Sequence, residues 1–217
     1  MRCSMKNNII NIFWIDTSEI IEEEQLLRFS APFHLNRKSL NTLNFRQLKQ
    51  TRFSKLLLAY GLNVLEESIP ESINFRNNGK PYFEDSEIKF NISHSGDLVV
   101  CGISKSSLGI DLQQIVPWRK GSEGVFLDKS EREIIPPEDY LKTWSKKEAT
   151  YKGFGFEFGA KLTDFKYKLP DLMVHPRGQI KLIEFDIAQN YHGFLAIEPE
   201  IESQINTFQV TVNQLIR

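Results

Sequence analysis

The chain has 217 residues, of which 41% are hydrophobic, 12% aromatic and 25% charged, an ordinary balance for a folded protein with enough apolar bulk for a real core. A net charge of −1 excludes a global basic field for nucleic acid or an anionic membrane, so any anion site must be built locally. Its two cysteines, Cys3 and Cys101, lie far apart and form neither a disulfide framework nor a zinc pattern, which fits a reducing cytoplasm.

The N-terminal stretch MRCSMKNNIINIFWID starts basic, but Asn8 and Asn11 break its apolar run and it lacks a small-residue cleavage site. It reads as a first strand over 9–16 rather than a signal peptide. No run approaches the roughly 18 apolar residues of a spanning helix. Residues 19–29 carry apolar side chains at helical spacing with Ser18 as a candidate cap. The longest helical pattern covers 44–65, with Leu48, Phe53, Leu56, Leu57 and Tyr60 as its apolar stripe. Arg46, Lys49, Arg52 and Lys55 add four positive charges at three-residue steps, drifting slowly around that helix.

Asn78-Gly79, between extended runs in INFRNNGKPYF (73–83), signals a hairpin turn. Three short strands are expected next, over 88–93, 98–103 and 108–115. Residues 117–138 are irregular, with a short helix around 129–135. A helix spans about 139–152, stopped by Gly153 and Gly155. The remainder reads as β, over 163–169, 179–186, 192–198 and 206–212. Helix followed by strands occurs once in each half, and GDLVVCGIS faintly matches HGFLAIEPE, a weak hint of a duplicated α+β unit.

Three constellations carry chemistry. In NISHSG (91–96), hydroxyls, backbone N–H groups and the imidazole of His94 can converge on an anion at a strand end, although Ser-rich turns are common. In LGIDLQ (108–113), Ile110 and Leu112 share one face of a strand while Asp111 and Gln113 share the other. Both of the latter present oxygens, as a hard cation such as Mg²⁺ requires. In WSKKEATYKGFG (144–155), Trp144, Glu148 and Lys152 fall at i, i+4 and i+8. As a surface ion pair Glu148–Lys152 would contribute only about 0.3–0.5 kcal/mol. A Trp in register, however, implies a packed face, and the Gly-rich turn leaves Lys152 beside an open rim. A capping role for Ser145 is discounted, because the helical pattern begins well before it.

Two carboxylates, Asp111 and Glu148, together with Lys152, His94, Lys80 and the 46–55 cations, suit a metal-bound polyphosphate. No G-x-S-x-G, P-loop or GxGxxG occurs, which removes those hydrolase and nucleotide-binding classes.

The blocks FNISHSG (90–96), GID (109–111) and WSKKEATYKGFG (144–155), with GKP (79–81) upstream, resemble the 4′-phosphopantetheinyl transferases of the surfactin-synthetase-activating type. The resemblance is firm over about 79–155. It implies an α+β fold of two similar halves about a pseudo-twofold axis, here 1–108 and 109–217, with coenzyme A in the cleft between them. It implies Mg²⁺-dependent transfer of the phosphopantetheine arm of coenzyme A to a serine of an apo acyl or peptidyl carrier protein, releasing 3′,5′-ADP. Mn²⁺ is a second candidate metal. Asp111 matches the metal-binding aspartate. Glu148 matches a metal ligand that also serves as general base. Lys152 matches the pyrophosphate-binding lysine. Ser93, His94 and Lys80 match phosphate contacts, and Arg52, Lys49 and Arg46 would hold the 3′-phosphate.

The chain departs from the pattern at Gln113, where a second acidic ligand is usual, and at Glu157, where a glycine is frequent. Gln113 would be a third, neutral metal ligand. The expected protein is cytoplasmic and, as two fused halves, monomeric, with no nucleic-acid or membrane partner. Carriers of fatty-acid, polyketide and nonribosomal peptide synthesis all remain open as substrates. Two alternatives stand beside this reading: a catalytically weak or inactive homologue that binds coenzyme A or carrier protein, and another Mg²⁺-dependent phosphoryl enzyme.

Overall fold

The computed structural model describes residues 8–26, 29, 32–35, 43–77, 79–168, 171–200 and 203–215. Cys3, Asn78 and positions 27–28 of the expected 19–29 helix lie outside the described residues. In chain order the elements are β1 (Asn8–Asp16), α1 (Glu23–Leu26), β2 (His34–Leu35), α2 (Phe45–Val64), β3 (Ser72–Phe75), β4 (Pro81–Tyr82), β5 (Lys89–Ser95), β6 (Leu98–Ser104) and β7 (Leu108–Gln114). Then follow α3 (Lys129–Ile134), α4 (Tyr140–Thr150), a π-helical turn (Tyr151–Gly155), α5 (Phe156–Phe158), β8 (Lys166–Lys168), β9 (Leu172–His175), β10 (Gly178–Glu184), β11 (Tyr191–Ile197), β12 (Ser203–Val210) and α6 (Val212–Leu215). No described helix is long and apolar enough to cross a membrane.

The chain forms two units, one from Asn8–Ser106 plus the chain after Ser203, the other from Ser107 to the end of β11 and its following turn. The last strand, β12, lies in the first unit beside β1.

In the first unit a four-stranded sheet has the order β12-β1-β6-β5. β12 runs parallel to β1, with Ile10 opposite Ile205 and Ile15 opposite Val210. β6 pairs antiparallel with both β1 and β5, and every residue of β6 is buried. α2 starts at a reciprocal cap: the Asn44 side chain accepts from Gln47 N at 3.0 Å while Gln47 Oε1 accepts from Asn44 N at 3.0 Å, satisfying two orphan donors. Its Phe53, Leu57 and Leu62 join Phe13, Val99, Cys101 and Ile103 in the core. Gly61 permits the approach, because a Cβ there would lie 2.7 Å from Ile103 Cδ1 and 2.9 Å from Phe13 Cδ2. β3 and β4 form the expected hairpin, closed by Arg76 N to Lys80 O at 2.9 Å with Gly79 at φ +84°, a left-handed conformation natural to glycine.

The expected helix over 19–29 is shorter. Only Glu23–Leu26 is helical among the described residues, and Ser18 does not cap it. Ser18 instead gives its own N–H to Asp16, while Gln25 Oε1 accepts from Ile21 and Glu22 N.

The second unit holds a five-stranded antiparallel sheet, β7-β11-β10-β9-β8. β9 was not expected from the sequence. It pairs with β10 across the Pro176-Arg177 turn, where Arg177 N donates to His175 Nδ1. α4 lies on β7 and β11, and Ala149, Phe154, Phe165, Met173, Leu182 and Phe194 make the core beneath it. Phe126 anchors an aromatic cluster, meeting Trp118, Tyr140 and Trp144 edge-on at centroid distances of 5.3, 6.4 and 5.4 Å.

Candidate functional site

The second unit brings the second and third sequence blocks together. β7 presents Asp111 opposite Phe194 and Gln113 opposite His192 on β11. Strand alternation places Asp111 and Gln113 on the same face, as the pattern predicted. α4 crosses β7 at backbone contact. A Cβ on Gly109 would sit 1.9 Å from Ala149 O and 2.4 Å from Gly153 N, so only glycine lets strand and helix approach this closely.

Asp111 is 4% exposed, and each of its carboxylate oxygens accepts a hydrogen bond. Ser145 Oγ, itself fully buried, donates to Oδ2 at 2.7 Å. Lys152 Nζ donates to Oδ1 at 2.5 Å. The surface ion pair between Glu148 and Lys152 that helical spacing alone would allow does not form. The helix widens into a π-helical turn at Tyr151–Gly155, which changes the direction of Lys152 relative to a continued α-helix, and Lys152 closes on Asp111 rather than lining an open rim. Such single-turn widenings are frequent at functional sites.

Among the described residues Glu148 has no hydrogen-bond or ion-pair partner at bonding distance. Its carboxyl is pushed above the ordinary glutamate range, first by burial and further by the Asp111 charge, against an opposing pull from Lys152. A carboxylate held in a desolvated place beside a second carboxylate is poised to receive a proton or a cation.

Two buried lysines of α4 were not singled out in the sequence. Lys147 is 0% exposed, and its ammonium donates to Phe126 O and Glu131 Oε2, both at 2.7 Å. Burial lowers its pKa while Glu131 opposes the shift. Glu131 belongs to the reciprocal cap of α3 with Asp128, and Lys166 bonds Asp128 while lying 3.7 Å from Glu131 Oε2. Lys146 turns elsewhere, donating to Tyr167 Oη at 2.6 Å. The only sequence signal was a charge in the i−1 and i−2 positions to Glu148, which surface lysines share.

In the first unit the three candidate cations of α2 differ. Lys49 is 5% exposed, and its ammonium is held by Asp97 Oδ1 at 2.7 Å, Thr17 O at 3.1 Å and Ile20 O at 3.2 Å. Arg52 is half-buried and donates to Leu26 O. Arg46 is exposed. Lys80 is half-buried at the foot of the β3–β4 turn. Ser93, His94 and Ser95 are the last three residues of β5, just before the turn at Gly96 and Asp97. Alternation therefore separates buried Ser93 from exposed His94, with Asn91, Ser93 and Ser95 on one face and His94 on the other.

The donor set around Asp111 fits a hard divalent cation. Asp111, Glu148 and Gln113 each offer oxygen donors, and the Asp111 charge adds to the upward shift of the Glu148 carboxyl. No group of three or more His, Cys, Asp or Glu arranged to hold a metal occurs among the described residues. Mg²⁺, which keeps several waters and takes one or two carboxylates plus substrate phosphates, does not require one.

No family model matches the chain. Curated proteins do. It is 34% identical over 125 residues to the 4′-phosphopantetheinyl transferase gsp of Aneurinibacillus migulanus, covering 52% of this chain and 51% of the relative. Identity is 32% over 123 residues to a 4′-phosphopantetheinyl transferase of Bacillus subtilis, covering 52% of each. Identity is 32% over 112 residues to the 4′-phosphopantetheinyl transferase AcpT of Salmonella typhimurium, covering 46% of this chain and 56% of the relative. The chain thus spans about half the length of the curated relatives it matches. The resemblance read from the three sequence blocks is borne out by these relatives.

Proposed function

We propose that the chain is a Mg²⁺-dependent 4′-phosphopantetheinyl transferase of the surfactin-synthetase-activating type, acting on coenzyme A and the serine of an apo carrier protein. The observation that carries this reading is the convergence of Asp111, Glu148 and Lys152 at the crossing of β7 and α4. Similarity to named transferases supports the kind of reaction. The two α+β units would then be the two related halves of that fold.

In this reaction the carrier hydroxyl forms a bond to the β-phosphorus of coenzyme A as the bridging P–O bond breaks, and 3′,5′-ADP leaves. Glu148 takes the hydroxyl proton. Its raised proton affinity suits that role, since a base works best near the operating pH. Lys152 faces the charge that grows on the leaving phosphate, where a fixed cation contributes most. To do so it must share or release Asp111. Asp111, Glu148 and Gln113 would hold Mg²⁺, which when bound would neutralise and orient the pyrophosphate. Ser93, His94 and Lys80 are assigned further phosphate contacts. Of Arg46, Lys49 and Arg52, exposed Arg46 is the most available for the 3′-phosphate, whereas Lys49 is already held by three oxygens. The same reading makes the protein a cytoplasmic monomer.

The test is to mix purified protein, coenzyme A, Mg²⁺ or Mn²⁺ and a panel of apo carriers from fatty-acid, polyketide and nonribosomal peptide synthesis, and to weigh the carriers. A gain of one phosphopantetheine arm on a carrier is expected; no gain on any of them would overturn the reading. Gln113 is the observation favouring a weak or inactive homologue, because it removes a charge from the metal face. Coenzyme A binding indifferent to Mg²⁺, with no transfer, would establish that alternative.

A further inference from the structure

Ser145 and Lys152 are unlike partners of the Asp111 carboxylate, and the difference between them has a use. Lys152 is a charged, part-exposed amine on a widened turn, able to exchange one anion for another. Ser145 is neutral, 0% exposed and fixed on the second turn of an eleven-residue helix. A helical serine commonly returns its hydroxyl to the carbonyl four residues earlier. Here that hydroxyl is spent on Oδ2 of Asp111 at 2.7 Å. The geometry is possible only because β7 and α4 touch backbone to backbone at Gly109, Ala149 and Gly153.

We propose that Ser145 is a positioning residue of this site: its buried hydroxyl pins Oδ2 and fixes the carboxylate plane, so that Oδ1 is the oxygen passed from Lys152 to an incoming cation. The assignment rests on the metal role given to Asp111 above. A carboxylate has four lone-pair directions and two rotatable bonds behind it. Without Ser145 its plane turns, and the cation must pay the ordering cost on binding. Groups that orient a metal ligand typically alter metal affinity or activity by about 10–100-fold when removed. A hydroxyl with a merely structural role would instead change stability and leave metal dependence alone.

The experiment uses the full chain as wild type, Ser145→Ala, Ser145→Thr and Asp111→Asn. Three quantities are read: the Asp111 carboxyl signal in ¹³C-aspartate NMR of ligand-free protein, assigned with Asp111→Asn; Mn²⁺ binding by electron paramagnetic resonance; and the Mg²⁺ dependence of carrier loading. Ser145→Ala should move or broaden the Asp111 signal. It should also weaken Mn²⁺ binding and raise half-saturating Mg²⁺ by about ten-fold, with the rate at saturating Mg²⁺ near wild type. Ser145→Thr, which keeps the hydroxyl, should restore the wild-type pattern. If its added methyl disrupts this buried place, the Ala data alone decide. An unmoved Asp111 signal in Ser145→Ala overturns the proposal, as does unchanged Mn²⁺ affinity in a wild type that binds Mn²⁺ through Asp111. If wild type neither binds Mn²⁺ nor loads any carrier, the functional reading fails, and the metal half of this proposal fails with it. The NMR signal then still decides whether Ser145 orients Asp111.

Discussion

Lys147→Met isolates the buried ion pair that α4 makes with Glu131. Met fills the same volume and leaves no cavity, so the change is mainly electrostatic. It removes the donor to Phe126 O and Glu131 Oε2, both at 2.7 Å. Glu131 is 5% exposed and its Oε1 has no partner among the described residues. Breaking one side of a buried pair typically costs about 3–5 kcal/mol, because the other charge stays buried. Lys166, 3.7 Å from the same oxygen, offsets part of this, which sets the expectation at about 3 kcal/mol. At about 2–4 °C per kcal/mol for a chain this long, the midpoint should fall by about 6–12 °C. Thermal unfolding followed by Trp fluorescence reads it, since Trp118 and Trp144 both abut Phe126. Adding Glu131→Gln neutralises the stranded carboxylate and should recover most of the loss. A Lys147→Met shift under about 1 kcal/mol, or a double variant as unstable as the sum of the singles, would refute the reasoning.

Three further outcomes follow from the site. Glu148→Gln should lower carrier loading by at least roughly 100-fold, and yet be more stable than wild type at neutral pH. The sign follows from the raised Glu148 carboxyl: its burial penalty is present above the folded pKa and vanishes as pH falls to the unfolded value. Stability curves of the two proteins should therefore converge in acid; a constant gap would exclude the linkage. Gln113→Glu should lower the Mg²⁺ concentration for half-maximal loading, and no change would remove Gln113 from the metal shell. Gly109→Ala should destabilise by about 3 kcal/mol, the upper end of overpacking costs, because its Cβ meets Ala149 O at 1.9 Å; a neutral effect in thermal melts would contradict the close crossing of β7 and α4.

Local rules reach far along this chain. Alternation in LGIDLQ places Asp111 and Gln113 on one strand face, and the register of β7 agrees. Helical periodicity finds α2 to within a residue at each end, and Asn78-Gly79 marks the β3–β4 hairpin. These succeed because they depend on neighbours within a few residues. Motif spacing points to Asp111, Glu148 and Lys152 as one group. Partnership is a different matter, since it depends on contacts between residues far apart in sequence. Lys49 reads as a phosphate-holding cation and Lys147 carries no signal of its own, yet each is buried against an acid 48 and 16 residues away. Ser145 reads as an unremarkable helical serine until β7 brings Asp111 to it across 34 residues. Lys152 reads as a cation beside an open rim, one helical turn from Glu148. The π-helical turn, packed against Gly109, gives it to Asp111 instead. The sequence by itself determined which side chains the chain holds ready and on which local face. Only tertiary packing decided their partners, because an ion pair or hydrogen bond between remote segments exists only after apolar burial has brought those segments together.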